Sequence, residues 1–209
     1  KASLMKAGVV AGRPANPNFA KYASQFKGSK TIKGIRQVLQ VPEAKRGLCL
    51  TDSYVKSIQL LGELGLTFDI CIRPEELSDA AKLVDKCPHT RFILDHCGNA
   101  SARNPHQKQW ETDITALAKR KNVVCKVSGI IKTVHSDWSP EKELAHIIHF
   151  VCDSFGPDRV MFGGDWPVCN FTFDFKTWVQ TLNAVLSKAS ETDKRKLFGD
   201  NAIKFYGLA

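Results

Sequence analysis

The chain has 209 residues, 43% of them hydrophobic. That is enough to bury one core, and no run approaches the roughly 18 apolar residues a membrane span takes. Its formal charge of +9 is scattered and densest at Lys194-Arg195-Lys196, with no aromatics interleaved, which speaks against a nucleic-acid groove. The seven cysteines are odd in number, widely spaced and free of any Cys-x-x-Cys pair; this fits reduced thiols in a cytoplasmic protein, not a disulfide framework or a structural zinc site.

Gly8 to Gly12 reads as a short strand, closed by Arg13-Pro14, and Ala20 to Phe26 as a short helix. Gly34 to Leu39 is a second strand, unusual for Arg36 and Gln37 inside it, since long polar side chains seldom sit on a buried strand without partners. Asp52 is placed to cap a helix carrying Val55, Ile58, Leu61 and Leu64 on one face, stopped by Gly65. Thr67 to Ile72 is the third strand; Pro74 opens a helix that runs to Cys87. Arg91 to Gly98 is the fourth, and Pro105 to Lys121 a helix with Trp110, Ile114 and Leu117 inward. Asn122 to Gly129 is the fifth; Ser139 and Pro140 then start a helix with Leu144, Ile147, Ile148, Val151 and Phe155 in one stripe. The sixth strand is Val160 to Phe162, followed by Gly163-Gly164-Asp165-Trp166-Pro167. An amphipathic helix from Phe175 to Leu186 and a short one from Ala202 to Tyr206 complete the chain. Strand and helix alternating at this spacing imply an α/β fold with a parallel sheet, either doubly wound or part of a barrel. No glycine-rich phosphate fingerprint follows any strand.

Four strands carry chemistry at or near their carboxyl ends: Arg36, then Asp95 with His96, then Lys126 with Ser128, then Asp165 with Trp166. Taken singly, each has a structural explanation, such as a cap, a core histidine or a rim lysine. Taken together, they converge as an active site does at the carboxyl face of a (β/α)8 barrel. His146 and His149 have metal-like spacing but fall opposite the apolar stripe of their helix, and so face solvent.

Gly34-Ile35-Arg36 with Leu39-Gln40, the block Ile93 to Gly98, the block Val124 to Gly129, and Arg159 to Val168 together resemble the amidohydrolase-related family. Within it they are most similar to the branch of sugar-acid lactonases and 2-pyrone-4,6-dicarboxylate hydrolase. The resemblance runs from about Gly8 to Tyr206, with the motifs in order. It implies a (β/α)8 TIM-type barrel forming one domain over residues 1–209, with about six of eight strands present. The family's first-strand His-x-His pair does not occur in these residues, so the chain is expected to lack its first two strands. Ser is frequent in the family where Gly164 stands, and Lys-Pro where Asn99-Ala100 stand, so the loop that contacts substrate is expected to differ.

The activity implied is hydrolysis of a lactone or related cyclic ester, of the carboxylic-ester hydrolase type. Asp165 matches the aspartate that activates water and His96 the histidine facing it. Arg36, Lys126 and Trp166 are the implied substrate-binding residues, with a sugar-acid lactone or an anionic cyclic ester as the small molecule. One divalent metal ion, zinc or manganese, is implied for some relatives, with His96 and Asp165 as its ligands here; other relatives work without metal. The alternatives are a metal-dependent decarboxylase of the same superfamily and a barrel remnant that only binds ligand. Neither nucleic acid nor membrane is an expected partner.

Overall fold

The computed structural model describes residues 5–103 and 107–208. Six strands form one parallel sheet in sequence order: β1 (Gly8–Ala11), β2 (Ile32–Val38), β3 (Thr67–Cys71), β4 (Arg91–Leu94), β5 (Val123–Val127) and β6 (Val160–Phe162). The helices between them are α1 (Phe19–Ser24), α2 (Asp52–Glu63), α3 (Leu77–Lys86), α4 (Gln107–Ala118) and α5 (Pro140–Phe155). After β6 come α6 (Phe175–Val185), α7 (Glu191–Arg195), a π-helical turn and α8 (Asn201–Tyr206). Each strand pairs in parallel with the next, the consecutive order of a TIM-type barrel wall.

The two faces of this sheet are chemically different, and the period-2 alternation of strand side chains separates them. Ile35, Phe68, Ile70, Phe92, Leu94, Val123, Cys125, Val127 and Val160 belong to one large apolar core shared with the helices. Ile58 and Leu61 of α2, Leu83 and Val84 of α3, Trp110, Ile114 and Leu117 of α4 and Ile147, Ile148 and Val151 of α5 fill it from the other side. Each such buried side chain contributes ~1.5–3 kcal/mol relative to exposure. The residues between them in sequence face inward: Arg36, Asp69, Ile93, Val124, Lys126 and Met161, in register across the paired strands. Ile93, Val124 and Met161 form a second, smaller cluster on that inner face, covered by Ala202, Phe205 and Tyr206 of α8. The last helix therefore sits under the inner face of the sheet. Asn201 pins its start by donating from Nδ2 to the carbonyls of Pro157 and Val160, both at 2.7 Å. Arg91 holds its end, lying 5.2 Å over the Phe205 ring and donating to the Phe205 carbonyl.

Element limits follow local chemistry. Thr51, not Asp52, is the N-cap of α2; Asp52 is the first helical residue, where its charge meets the positive end of the helix. Ser139 precedes α5 with Pro140 at its start, as the sequence predicts. Asp174 caps α6 by accepting from the Thr177 N–H at 2.7 Å. The fourth strand stops at Leu94, four residues before its expected end. His96, Cys97, Gly98 and Asn99 all take positive φ (56°, 53°, 67° and 55°), a left-handed stretch that no extended ladder can include. The expected helix start at Pro105 lies outside the described residues, and the helix is seen from Gln107.

Candidate active site

Two layers of polar groups stand on the inner face, at and below the carboxyl ends of the strands. The lower layer is a chain of charges. Lys126 Nζ lies 2.5 Å from Asp69 Oδ2 and 3.0 Å from Asp95 Oδ1, the second contact being an ion pair without hydrogen-bond alignment. Arg36 Nη1 donates to Asp95 Oδ2 at 3.2 Å. Burial raises the Asp69 carboxyl to about 6 against the opposing pull of Lys126. Burial opposes the charge of Lys126, but Asp69 and Asp95 outweigh it and the ammonium titrates above its ordinary range. Arg36 is likewise held charged against burial by Asp95. Both cations expected at the site are thus partnered by carboxylates of the chain itself. Arg36 keeps 42% of its side chain exposed and borders an open cavity of about 710 Å³ that Ala11, Arg13 and Glu43 also line.

The upper layer holds His96 and Asp165. His96 follows β4 and Asp165 follows β6, yet Nε2 of one stands 3.7 Å from Oδ1 of the other. Backbone conformation makes this approach. Both residues have positive φ, 56° at His96 and 49° at Asp165, which swings each side chain back over the strand ends. Asn99 steadies the first turn by donating from Nδ2 to the Ile72 carbonyl at 2.7 Å. Trp178 steadies the second, donating from its indole to the Gly163 carbonyl at 3.0 Å. Ser128, at the end of β5, places its hydroxyl 2.9 Å from His96 Nδ1. Gly129 (φ 67°) comes next, and a Cβ there would stand 2.5 Å from His96 Nδ1 and 3.0 Å from Asp165 Oδ2. Only glycine fits that wedge. Burial disfavours the charged ring and lowers the His96 pKa despite the nearby Asp95 and Asp165. Asp165 Oδ2 is buried and has no hydrogen-bond partner among the described residues.

The structure thus brings Arg36, His96, Lys126 and Asp165 to one face. Trp166 is different: it follows Asp165 in sequence and is 71% exposed. His146 and His149 face solvent as expected, and His146 Nε2 meets Glu111 at 2.6 Å. Asp69 was missed by sequence reasoning, which looked for polar groups at strand ends. Its signal was present nonetheless: a carboxylate inside Thr67-Phe68-Asp69-Ile70-Cys71, in register with Arg36 of the neighbouring strand.

As a metal cradle the donor set is incomplete. His96 and Asp165 offer two ligands, one fewer than catalytic zinc takes. Cys71, Asp95 and His96 have ligand atoms within 4.8 Å of one another. However, burial pushes the Cys71 thiol up to about 11, and the Asp95 carboxylate is already engaged by Arg36 and Lys126. These residues do not by themselves fit a divalent ion.

Comparison with known proteins agrees with this architecture. The family model described as amidohydrolase matches residues 2–208. The chain is 25% identical over 204 residues to the L-fucono-1,5-lactonase of Burkholderia multivorans, covering 92% of this chain and 68% of that protein. It is 28% identical over 150 residues to the L-fucono-1,5-lactonase of Burkholderia ambifaria, covering 68% of this chain and 50% of that one. The chain therefore spans between half and about two thirds of these curated relatives. A crystal structure of an amidohydrolase from Burkholderia multivorans with bound zinc superposes with a TM-score of 0.89 at 23% identity, covering 98% of this chain and 74% of that one; at that identity the likeness is one of fold.

Proposed function

We propose that this chain, which belongs to the amidohydrolase family, carries the catalytic site of a hydrolase that opens sugar-type lactones. The observation that carries this reading is the facing pair of His96 and Asp165. Their side chains are 3.7 Å apart at the carboxyl ends of two different strands, and Asp165 Oδ2 has no hydrogen-bond partner among the described residues. The lactonase relatives support the substrate class.

In the proposed reaction the Asp165 carboxylate takes a proton from water, and the water oxygen bonds to the lactone carbonyl carbon. Negative charge builds on the carbonyl oxygen, and the His96 ring and the exposed side of Arg36 are the groups placed to stabilise it. Collapse breaks the ring C–O bond. Asp165 returns its proton to the departing alkoxide, so that the product is an open-chain hydroxy acid and the site ends as it began. Lys126 and Asp69 take no proton in this scheme; they hold Asp95, and through it Arg36, in place. Every step runs through residues of this chain, and none is routed through a metal.

The test is Asp165→Asn in the intact protein, assayed on an aldonolactone by acid release. Turnover is expected to fall by roughly 10²–10⁴-fold, the usual worth of a general base. Unchanged turnover would remove Asp165 from the mechanism. Release of carbon dioxide from an aromatic carboxylic acid, with no lactone opened, would replace the hydrolase reading by the decarboxylase one.

A further inference from the structure

We infer that Ser128 is a positioning residue that selects the tautomer of His96: its hydroxyl donates to Nδ1 and thereby keeps the ring proton on Nε2, on the side of Asp165. Ser128 is only 1% exposed, and its Oγ is 2.9 Å from Nδ1. Among the described residues the hydroxyl has no other hydrogen-bond partner. The assignment follows from counting hydrogens. With the ring proton on Nδ1, the serine hydrogen would be buried without an acceptor, and the Nε2 lone pair would face the Asp165 carboxylate across 3.7 Å. Both consequences are unfavourable. With the serine donating, its hydrogen has Nδ1 as acceptor, and the Nε2–H faces the Asp165 carboxylate, 3.7 Å away, where a positive edge is favoured over a lone pair. The bond made at one imidazole nitrogen decides what the other offers.

The surroundings leave the ring little freedom to escape this arrangement. Gly129 leaves no space for a side chain between His96 and Asp165. A Cβ on Gly163 would come within 2.8 Å of the Ser128 Cβ, so the serine is walled in from β6. The left-handed backbone at His96 fixes the direction from which the ring enters. Held so, His96 presents a hydrogen-bond donor to the space where the lactone carbonyl would lie. That last consequence rests on the hydrolase reading above, whereas the tautomer itself does not.

Nitrogen and carbon NMR of ring-labelled histidine in the intact protein, without substrate and at a pH where the ring is neutral, tests it. The wild type is expected to show His96 protonated at Nε2. Ser128→Ala should give a mixture of both tautomers and roughly a tenfold loss of kcat with KM within about twofold. Ser128→Cys, of similar size with a weaker donor, should lie between them. Wild-type protonation at Nδ1 would overturn the inference, as would a Ser128→Ala protein with an unchanged tautomer. If Ser128→Ala fails to fold, the wild-type and cysteine spectra still decide. Absence of lactone turnover in the wild type would end the hydrolase reading but leave the tautomer measurement standing.

Discussion

Replacing Lys126 by Met is the sharpest test of the inner charge layer. The substitution keeps the aliphatic stem and removes one ammonium. Two carboxylates would then face each other across its place: Asp69, whose side chain is 2% exposed, and Asp95, which is fully buried. Asp95 retains Arg36 at 3.2 Å, while Asp69 is left with no cation in contact among the described residues. Stranding one member of a buried ion pair costs about 3–5 kcal/mol. For a chain of 209 residues each kcal/mol moves Tm by ~2–4 °C, so thermal unfolding followed by circular dichroism should show a loss of roughly 10 °C at pH 8. The sign of the pH dependence is also fixed. A buried carboxyl that already titrates near 6 with its lysine present will titrate higher without it. It then binds its proton more tightly folded than unfolded, so the deficit is full at high pH and shrinks as pH falls through the raised value. Pairing Lys126→Met with Asp69→Asn should restore about half of the lost stability. A single variant that unfolds within 2 °C of wild type, or one that loses equally at pH 5 and pH 8, would show that the layer does not work as described.

Two further substitutions probe the elements around it. Gly129→Ala puts a methyl where contacts of 2.5 and 3.0 Å are already counted, in a backbone of φ 67°; the left-handed strain alone costs ~1–2 kcal/mol, and activity on an aldonolactone should fall more than its Tm, because the methyl separates His96 from Asp165. Asn201→Ala removes both donations that hold the start of α8, leaving the carbonyls of Pro157 and Val160 unpaired; denaturant unfolding should report a loss of about 2–3 kcal/mol with an unchanged m-value.

Much of this molecule could be read from its residues. The rhythm of strand and helix was visible because each strand puts a large apolar residue on alternate positions, and each helix carries its own stripe. Arg36 stood out because nothing on a buried strand explains a guanidinium except a partner, and the partner proved to be Asp95, fifty-nine residues further on. Asp95 and His96 were legible as a strand-end pair, but the left-handed stretch from His96 to Asn99 was not. Cys97 would not take positive φ on propensity alone; in the fold its carbonyl accepts from the Trp110 indole, thirteen residues on, at 2.8 Å. Trp166 could not be oriented from sequence either. Its exposure of 71% depends on the packing of the whole strand-end region, which no local pattern encodes.

The placement of α8 has one more consequence. Phe205 and Tyr206 close the inner face from beneath, so the Lys126 links to Asp69 and Asp95 operate largely away from bulk water, where each is stronger than at the surface. Substituting Phe205 or Tyr206 by a small residue would let solvent in from beneath and weaken the Lys126 links, with no change to any residue of the site itself.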